Sequence, residues 1–374
     1  MRNVARGLPR SDERILLKTT TFRQDVEEAM KLLGEKGWLF EECTVMDAKG
    51  IPRWGLCFAH PTRIQVLKNR GYFTQFDSTH KTNAWGHNMF SFLVRNEQGI
   101  WIPGAHCVVE RENSEILAHT MKAFKRWCGW KPRYVLTDDS AVEQLAVRRV
   151  FPGLEAGEQE VSHLLCTVHT MRTLNKRFKS EADKPIFNVL RHAMYAYTRI
   201  KCYELCEEAI FLARDEKTKN YIRTYWLDTS HKWAMYARSH SPLLEQVTST
   251  NGSEAWHRQL KAGGGLRKGD ASNHSNINFF NLVFLLTAYI YIGIRGMILH
   301  IMQQADNRDS KARKAYNDFR VKSLSIVYHE YPEVGLFPGP VQKLLGPEIN
   351  AVNERIAQGK ETPIFDENLT CHCK

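Results

Sequence analysis

Residues 71–109 read GYFTQFDSTHKTNAWGHNMFSFLVRNEQGIWIPGAHCVV. Phe73–Phe76 carries aromatic and β-branched residues into Asp77, as a strand does. Met89–Val94 is a second strand, Asn96–Gly99 a turn, and Ile100–Val109 a third strand. Pro103 and Gly104 predict a bulge or interruption in that third strand, because proline cannot donate to a ladder. Further on, Ser114–Cys128 spaces its apolar residues by three and four, between a cap at Asn113 and a stop at Gly129, which predicts a helix. Arg133–Leu136 is a fourth strand running into Thr137-Asp138-Asp139. A second helix over Ser140–Val150 ends at Phe151-Pro152-Gly153, and a fifth strand over Val161–Leu165 ends on Cys166-Thr-Val-His169. The order βββαβαβ predicts an α/β class with a mixed sheet.

Upstream, Thr21–Gly37 predicts a short amphipathic helix with Val26, Met30 and Leu33 on one face, and residues 1–70 as a whole read as helical and basic. Residues 71–170 form the first part of the core. Strand signals vanish over residues 171–247, where Pro185–Tyr197, Tyr203–Arg214 and Asn220–Trp226 predict an all-helical insertion. The core resumes over residues 248–305, beginning with a turn at Val247–Gly252 and a short helix over Ser253–Lys261; residues 306–374 read as a helical tail. The uncharged run Ile277–Ile294 approaches spanning length, but its Asn278 and Asn281 and the Arg295 that follows favour a buried helix.

The 52 Lys and Arg exceed the 41 Asp and Glu by 11, and 43% of residues are hydrophobic, which excludes wholesale disorder and favours a polyanionic partner. Nine scattered cysteines, an odd number in a long chain, predict reduced thiols inside a cell. Among them Cys202 and Cys206, one helical turn apart, read as buried apolar residues.

Three acids fall at suggestive places: Asp77 ends the first strand, Asp138 follows the fourth, and Glu254 lies on a late helix. In this strand order the first and fourth strands are neighbours, so Asp77 and Asp138 converge at one edge. Carboxylates that close repel one another unless a divalent cation neutralises them. Mg²⁺ or Mn²⁺ suits an all-oxygen set, and two such ions about 3.5–4 Å apart serve in-line phosphoryl displacement. On spacing alone, the plainer reading of turn caps and a solvated helix face is the commoner one.

The sequence around these acids adds a resemblance. FTQFDSTHKTN (Phe73–Asn83), YVLTDDSAVEQLAVRRVFPG (Tyr134–Gly153), HLLCTVHTMRTL (His163–Leu174) and TNGSEAWHRQLK (Thr250–Lys261) resemble, in order and interval, the Mutator-like element (MULE) transposase domain over roughly residues 50–300. The resemblance implies an RNase H-like core interrupted by the helical insertion, with Asp77, Asp138 and Glu254 as a metal-binding DDE triad. It implies cleavage and strand transfer of DNA, with terminal inverted repeats and target DNA as partners, a nuclear location without membrane attachment, and a possible homodimer. A domesticated or inactive transposase-derived DNA-binding regulator is the alternative.

The family also carries the Cys166-x-x-His169 motif. Zinc usually needs four ligands, no second pair lies nearby, and strand alternation turns His163 away from Cys166, so packing and hydrogen bonding are expected there. Lys81, Arg172, Lys176, Arg177, Arg258 and Lys261 are candidate phosphate contacts, with an ordinary solvated face as their plain reading. Trp226, Trp233 and Trp256 either stack on bases or pack in the core. Cys371 and Cys373 resemble the opening of a SWIM zinc finger, and Zn²⁺ is expected there only if further ligands complete the finger.

Overall fold

The computed structural model describes residues 21–97, 99–111, 113–152, 161–262, 293–323, 331, 332, 334 and 339–359. Helix α1 (Phe22–Glu35) starts where Thr21 Oγ1 accepts from Gln24 N, and it buries Val26, Ala29, Leu32 and Leu33. Two strands then follow inside the region expected to be helical: β1 (Leu39–Met46) and β2 (Pro52–Ala59), an antiparallel pair. Their turn is built by Asp47, whose Oδ1 accepts from Lys49 N and Ile51 N, with Gly50 at φ 71°. The strand β1 lies at the sheet edge with side chains exposed or half-exposed on both faces, and Glu41 and Glu42 sit mid-strand. It therefore lacks the one-sided alternation by which a strand announces itself.

After α2 (Pro61–Arg70) come β3 (Phe73–Thr79), β4 (Asn88–Arg95), β5 (Trp101–Val109), α3 (Ser114–Cys128), β6 (Tyr134–Thr137), α4 (Ala141–Val150) and β7 (Ser162–Leu165). The seven strands form one sheet in the order β1-β2-β5-β4-β3-β6-β7, with β3, β6 and β7 mutually parallel and β3 antiparallel to β4. This is the mixed α/β arrangement expected of an RNase H-like core, widened at one edge by β1 and β2. Asn113 and Gly129 cap α3 as predicted: Asn113 Oδ1 accepts from Glu115 N and Ile116 N, and Gly129 adopts φ 67°.

The interruption expected at Pro103 does not occur, and β5 runs unbroken. Its pairing with β2 spans only His106–Val109, so the missing proline N–H falls outside that ladder. At Gly104 the strand passes close to α2, where a Cβ would sit 3.1 Å from Leu67 Cβ and crowd it.

Strand alternation sorts β3 into two faces. Phe76 joins an aromatic layer in which it stacks on Phe92 at 4.9 Å, Phe92 meets Phe124 at 5.0 Å, and Trp130 meets Phe151 at 5.3 Å. Gln75 and Asp77 face the other side.

The insertion is helical throughout: α5 (Thr167–Arg177), α6 (Lys184–Met194), α7 (Arg199–Leu212), α8 (Glu216–Ile222), a π-helical turn over Arg223–Leu227, α9 (Ser230–Trp233) and α10 (Pro242–Gln246). It has its own core, in which Trp226 and Trp233 pack edge to face at 5.1 Å. The chain then re-enters the sheet domain through α11 (Asn251–Ala262) and, later, α12 (Ile294–Ser323). Trp256 and Leu260 of α11, Ile298 and Ile301 of α12, and Val26 and Leu33 of α1 share a core with Leu56, Met89 and Val108 of the sheet.

Asp25 of α1 fixes the start of α12. Its carboxylate accepts from Ile294 N (2.6 Å), Arg295 N (3.2 Å) and Trp85 Nε1 (2.6 Å). Most of the apolar run 277–294 lies outside the described residues; among those described, no helix is long and apolar enough to cross a membrane. A second compact unit comprises Arg95–Ile100 and the segment from Asp306 on. It includes α13 (Gly339–Ala357), where Asn353 Oδ1 accepts from Tyr331 Oη.

Candidate active site

Parallel pairing of β3 with β6 sets Phe73 opposite Tyr134 and Gln75 opposite Leu136. The same offset carried two residues further sets Asp77 level with Asp138. On its other side Asp77 stands across from Ser91 of β4. Pairing of β6 with β7 sets Thr137 opposite Leu165, so Asp138 and Cys166 are likewise the next residues on adjacent strands. The ends of β6 and β7 thus bring Asp138 and Cys166 level with Asp77. Asp77 itself lies inside β3 and not at its end as the sequence suggested, since β3 runs on to Thr79.

Cys166 caps α5, and His169 follows in the first turn of that helix. The His169 ring bridges two acids, with Nδ1 2.8 Å from Asp138 Oδ1 and Nε2 3.7 Å from Glu254 Oε1. Thr250 Oγ1 donates to the same Asp138 oxygen at 3.1 Å. Arg172 NH1 lies 2.9 Å from His169 Nε2 and 3.7 Å from Glu254 Oε1. Asp139, the neighbour that competes with Asp138 in the sequence, instead accepts from Gln144 Nε2 at 3.3 Å.

The segment before α11 is clamped from both sides. Thr167 N and Oγ1 donate to Thr248 O, Gln75 Nε2 donates to Ser249 O, and Thr250 N donates to Cys166 Sγ at 3.3 Å. Gly252 is dictated by this fit, because a Cβ there would lie 2.6 Å from Trp101 Cγ. One turn later the buried Trp256 donates through Nε1 to Ser91 Oγ (3.1 Å), whose hydroxyl faces His106 Nδ1 (3.1 Å). Glu254 therefore rides on a helix tied to β3, β4 and α5 together.

The electrostatics follow from this geometry. Burial and then the neighbouring Asp138 charge push the Asp77 carboxyl up, against the opposing effect of His257, whose Nδ1 is 3.6 Å from Asp77 Oδ2. Hydrogen bonding to Asp138, then to Cys166, pulls the His169 imidazole up to about 10. A protonated ring cannot accept from Arg172, so protonation of His169 turns Arg172 toward Glu254. Burial pushes the Cys166 thiol up, but bonds from His169 and Thr250 outweigh it and hold the thiol below its ordinary value.

Asp77 is buried and resists ionisation, and the half-buried Asp138 stands level with it on the adjacent strand. Carboxylate oxygens of this kind, with those of Glu254, are the donor type that Mg²⁺ or Mn²⁺ takes. Asp138 also belongs to a mixed set with Cys166 and His169.

The sequence candidates separate accordingly. Asp138, Glu254, Cys166, His169 and Arg172 come together, and Asp77 lies within the field of Asp138. Lys81, at φ 59°, and Lys261 gather near Asp77: burial lowers the Lys261 pKa, Asp77 opposes that, and Lys81 adds to it. Arg258 and Lys176 are exposed, whereas Arg177 stacks on Tyr221 of the insertion at 5.0 Å. Trp226, Trp233 and Trp256 are all buried, so core packing, not base stacking, is their role in this structure. Cys371 and Cys373 lie outside the described residues. Sequence reasoning missed Thr250 and His257. The latter's only signal is its place three residues after Glu254, on the same helix face.

Residues 45–156 match the family described as Zinc finger SWIM domain-containing protein 1/3, RNaseH-like domain. The matched stretch contains Asp77 and Asp138 and stops short of Cys166, His169 and Glu254. A search of the curated proteins finds no match. Sheet order and family match agree: the chain carries an RNase H-like domain, the fold of the nuclease- and transposase-like superfamily.

Proposed function

We propose that the protein is a MULE-type DDE transposase core that cuts DNA at terminal inverted repeats and joins the freed end to target DNA. The observation carrying this reading is the bridge from Asp138 through His169 to Glu254, with Asp77 level with Asp138 on the adjacent strand. Asp77, Asp138 and Glu254 would hold the cations. The chemistry such cations would supply there is activation of the attacking oxygen and stabilisation of the leaving one. Lys81 and Lys261 beside Asp77, with Arg258 exposed on the Glu254 helix, bind the phosphates flanking the scissile bond. Burial of Asp77 limits water around the reacting groups. A nuclear location and a homodimer holding two DNA ends accompany this reading, as does a Zn²⁺ finger begun by Cys371 and Cys373.

The test is strand nicking of repeat-ended DNA by the purified chain with Mg²⁺. Asp77→Asn is expected to lower the rate at least about a hundredfold, whereas Asp139→Asn, whose side chain turns to Gln144, leaves it within a few-fold. Equal rates for Asp77→Asn and wild type would remove the reading. One observation favours a DNA-binding regulator as the second reading: His169 and Arg172 already counter the charges of Asp138 and Glu254. DNA binding that persists without any nicking, and is indifferent to neutralising all three acids, selects it.

A further inference from the structure

Cys166 and His169 come from the first turn of α5, and Asp138 comes from the end of the adjacent strand. An oxygen of Asp138, the Cys166 sulfur and a ring nitrogen of His169 lie within 4.8 Å of one another. One oxygen, one sulfur and one nitrogen at that spacing are the donor types of a tetrahedral Zn²⁺ centre, not of Mg²⁺, which takes oxygens.

Two further observations bear on the sulfur. It accepts the Thr250 N–H at 3.3 Å, as a metal-bound thiolate does. Arg238, fully buried, donates to Leu165 O and, at 3.4 Å, to Val247 O in the segments flanking Cys166, while its Nε has no partner among the described residues. Its guanidinium supplies buried positive charge on the thiol's side.

We infer that Asp138, Cys166 and His169 form a binding site for a thiophilic divalent cation of the Zn²⁺ class, with the fourth position open. Nδ1, the ring nitrogen facing Asp138, is the ligand atom of His169. Its Nε2–H then points to Glu254, the outer carboxylate partner that metal-bound histidines commonly take, and Arg172 keeps only Glu254. The sequence reading passed over this site because it sought a second Cys/His pair; the third donor is an aspartate brought in by strand pairing. The site stands whether or not the chain cuts DNA. Its consequence for cutting rests on the proposed function: a Zn²⁺ held here takes Asp138 and Glu254 from the Mg²⁺ site, so Zn²⁺ inhibits at concentrations far below the Mg²⁺ supplied.

The test uses the full chain carrying Cys371→Ser and Cys373→Ser, which removes the terminal thiols, titrated with Co²⁺. Expected are one Co²⁺ per chain, an intense thiolate-to-cobalt charge-transfer band, displacement by Zn²⁺ but not by excess Mg²⁺, and loss of the band in Cys166→Ser. Because that variant also loses the sulfur holding Thr250, Asp138→Asn serves as the second probe. It keeps the sulfur and is expected to weaken Co²⁺ binding by about tenfold to a hundredfold. No band in the parent chain, a band that survives Cys166→Ser, or unchanged affinity in Asp138→Asn overturns the inference. A chain that shows the band without cutting DNA keeps this site and loses the transposase reading; one that cuts DNA with Mg²⁺ and shows no band loses this site alone.

Discussion

At the scale of single residues, His169 is where the candidate site can be read without any DNA. Its ordinary imidazole pKa of 6.5 rises to about 10, first because Nδ1 bonds Asp138 and then because of Cys166. A histidine raised in the folded state adds stability that is fully present below the unfolded value of about 6.5 and is lost as pH climbs toward about 10. NMR titration of the ring in the metal-free chain should therefore show a protonated imidazole at pH 8, and Asp138→Asn should return its midpoint toward the ordinary value. A His169 midpoint near 6.5 in the wild-type chain would contradict the bond. The sequence singled out Asp77, Asp138 and Glu254 through the distinctive residues around each. It did not show Thr250 or His257, whose contacts with Asp138 and Asp77 arise only when α11 is laid across β3.

Among the elements, the caps of α3 and the α3 and α4 boundaries followed from local chemistry, and β1 and β2 did not. An edge strand with glutamates in mid-run has no buried face to impose a period of two, so only its pairing with β2 defines it. The tie between α1 and α12 was equally invisible, since nothing local marks Asp25 as the cap of a helix far along the chain. Asp25→Ala leaves Trp85 Nε1 and the first amides of α12 without their acceptor in a buried setting. A loss of about 2–3 kcal/mol is expected, read as a lower urea midpoint together with faster hydrogen exchange at Ile294 and Arg295. Asp25→Asn retains an acceptor oxygen and should cost less. An unchanged midpoint in Asp25→Ala would mean that α12 is held by its apolar face alone.

Across the whole molecule, acid is the expected weakness. His106 lies beneath α11 beside Trp256, and His163 donates to Thr137 on β6; burial pushes both down to about 3. Between about pH 3 and 6.5 the unfolded chain binds these two protons and the folded chain does not, so stability falls as pH drops through that window. Each histidine contributes at most about 1.4 kcal/mol per pH unit there. Calorimetry at stepped pH should show the thermal midpoint falling well before carboxylates protonate, with the fall shallower in His163→Gln; identical slopes in wild type and variant would assign it elsewhere. The sheet order was legible in this domain because each core strand is short, apolar and punctuated, whereas the relation of residue 25 to residue 294 was not. That last contact, 269 residues long in sequence, also sets a timetable. During synthesis α1 emerges first, but the amides that Asp25 accepts, at the start of the helix packed beside it, leave the ribosome 269 residues later. At about 5–20 residues per second, Leu33, Leu56 and Trp54 stay without their α12 cover for roughly 15–50 s. The core shared by α1, the sheet and α12 is thus complete only once translation has passed the start of α12.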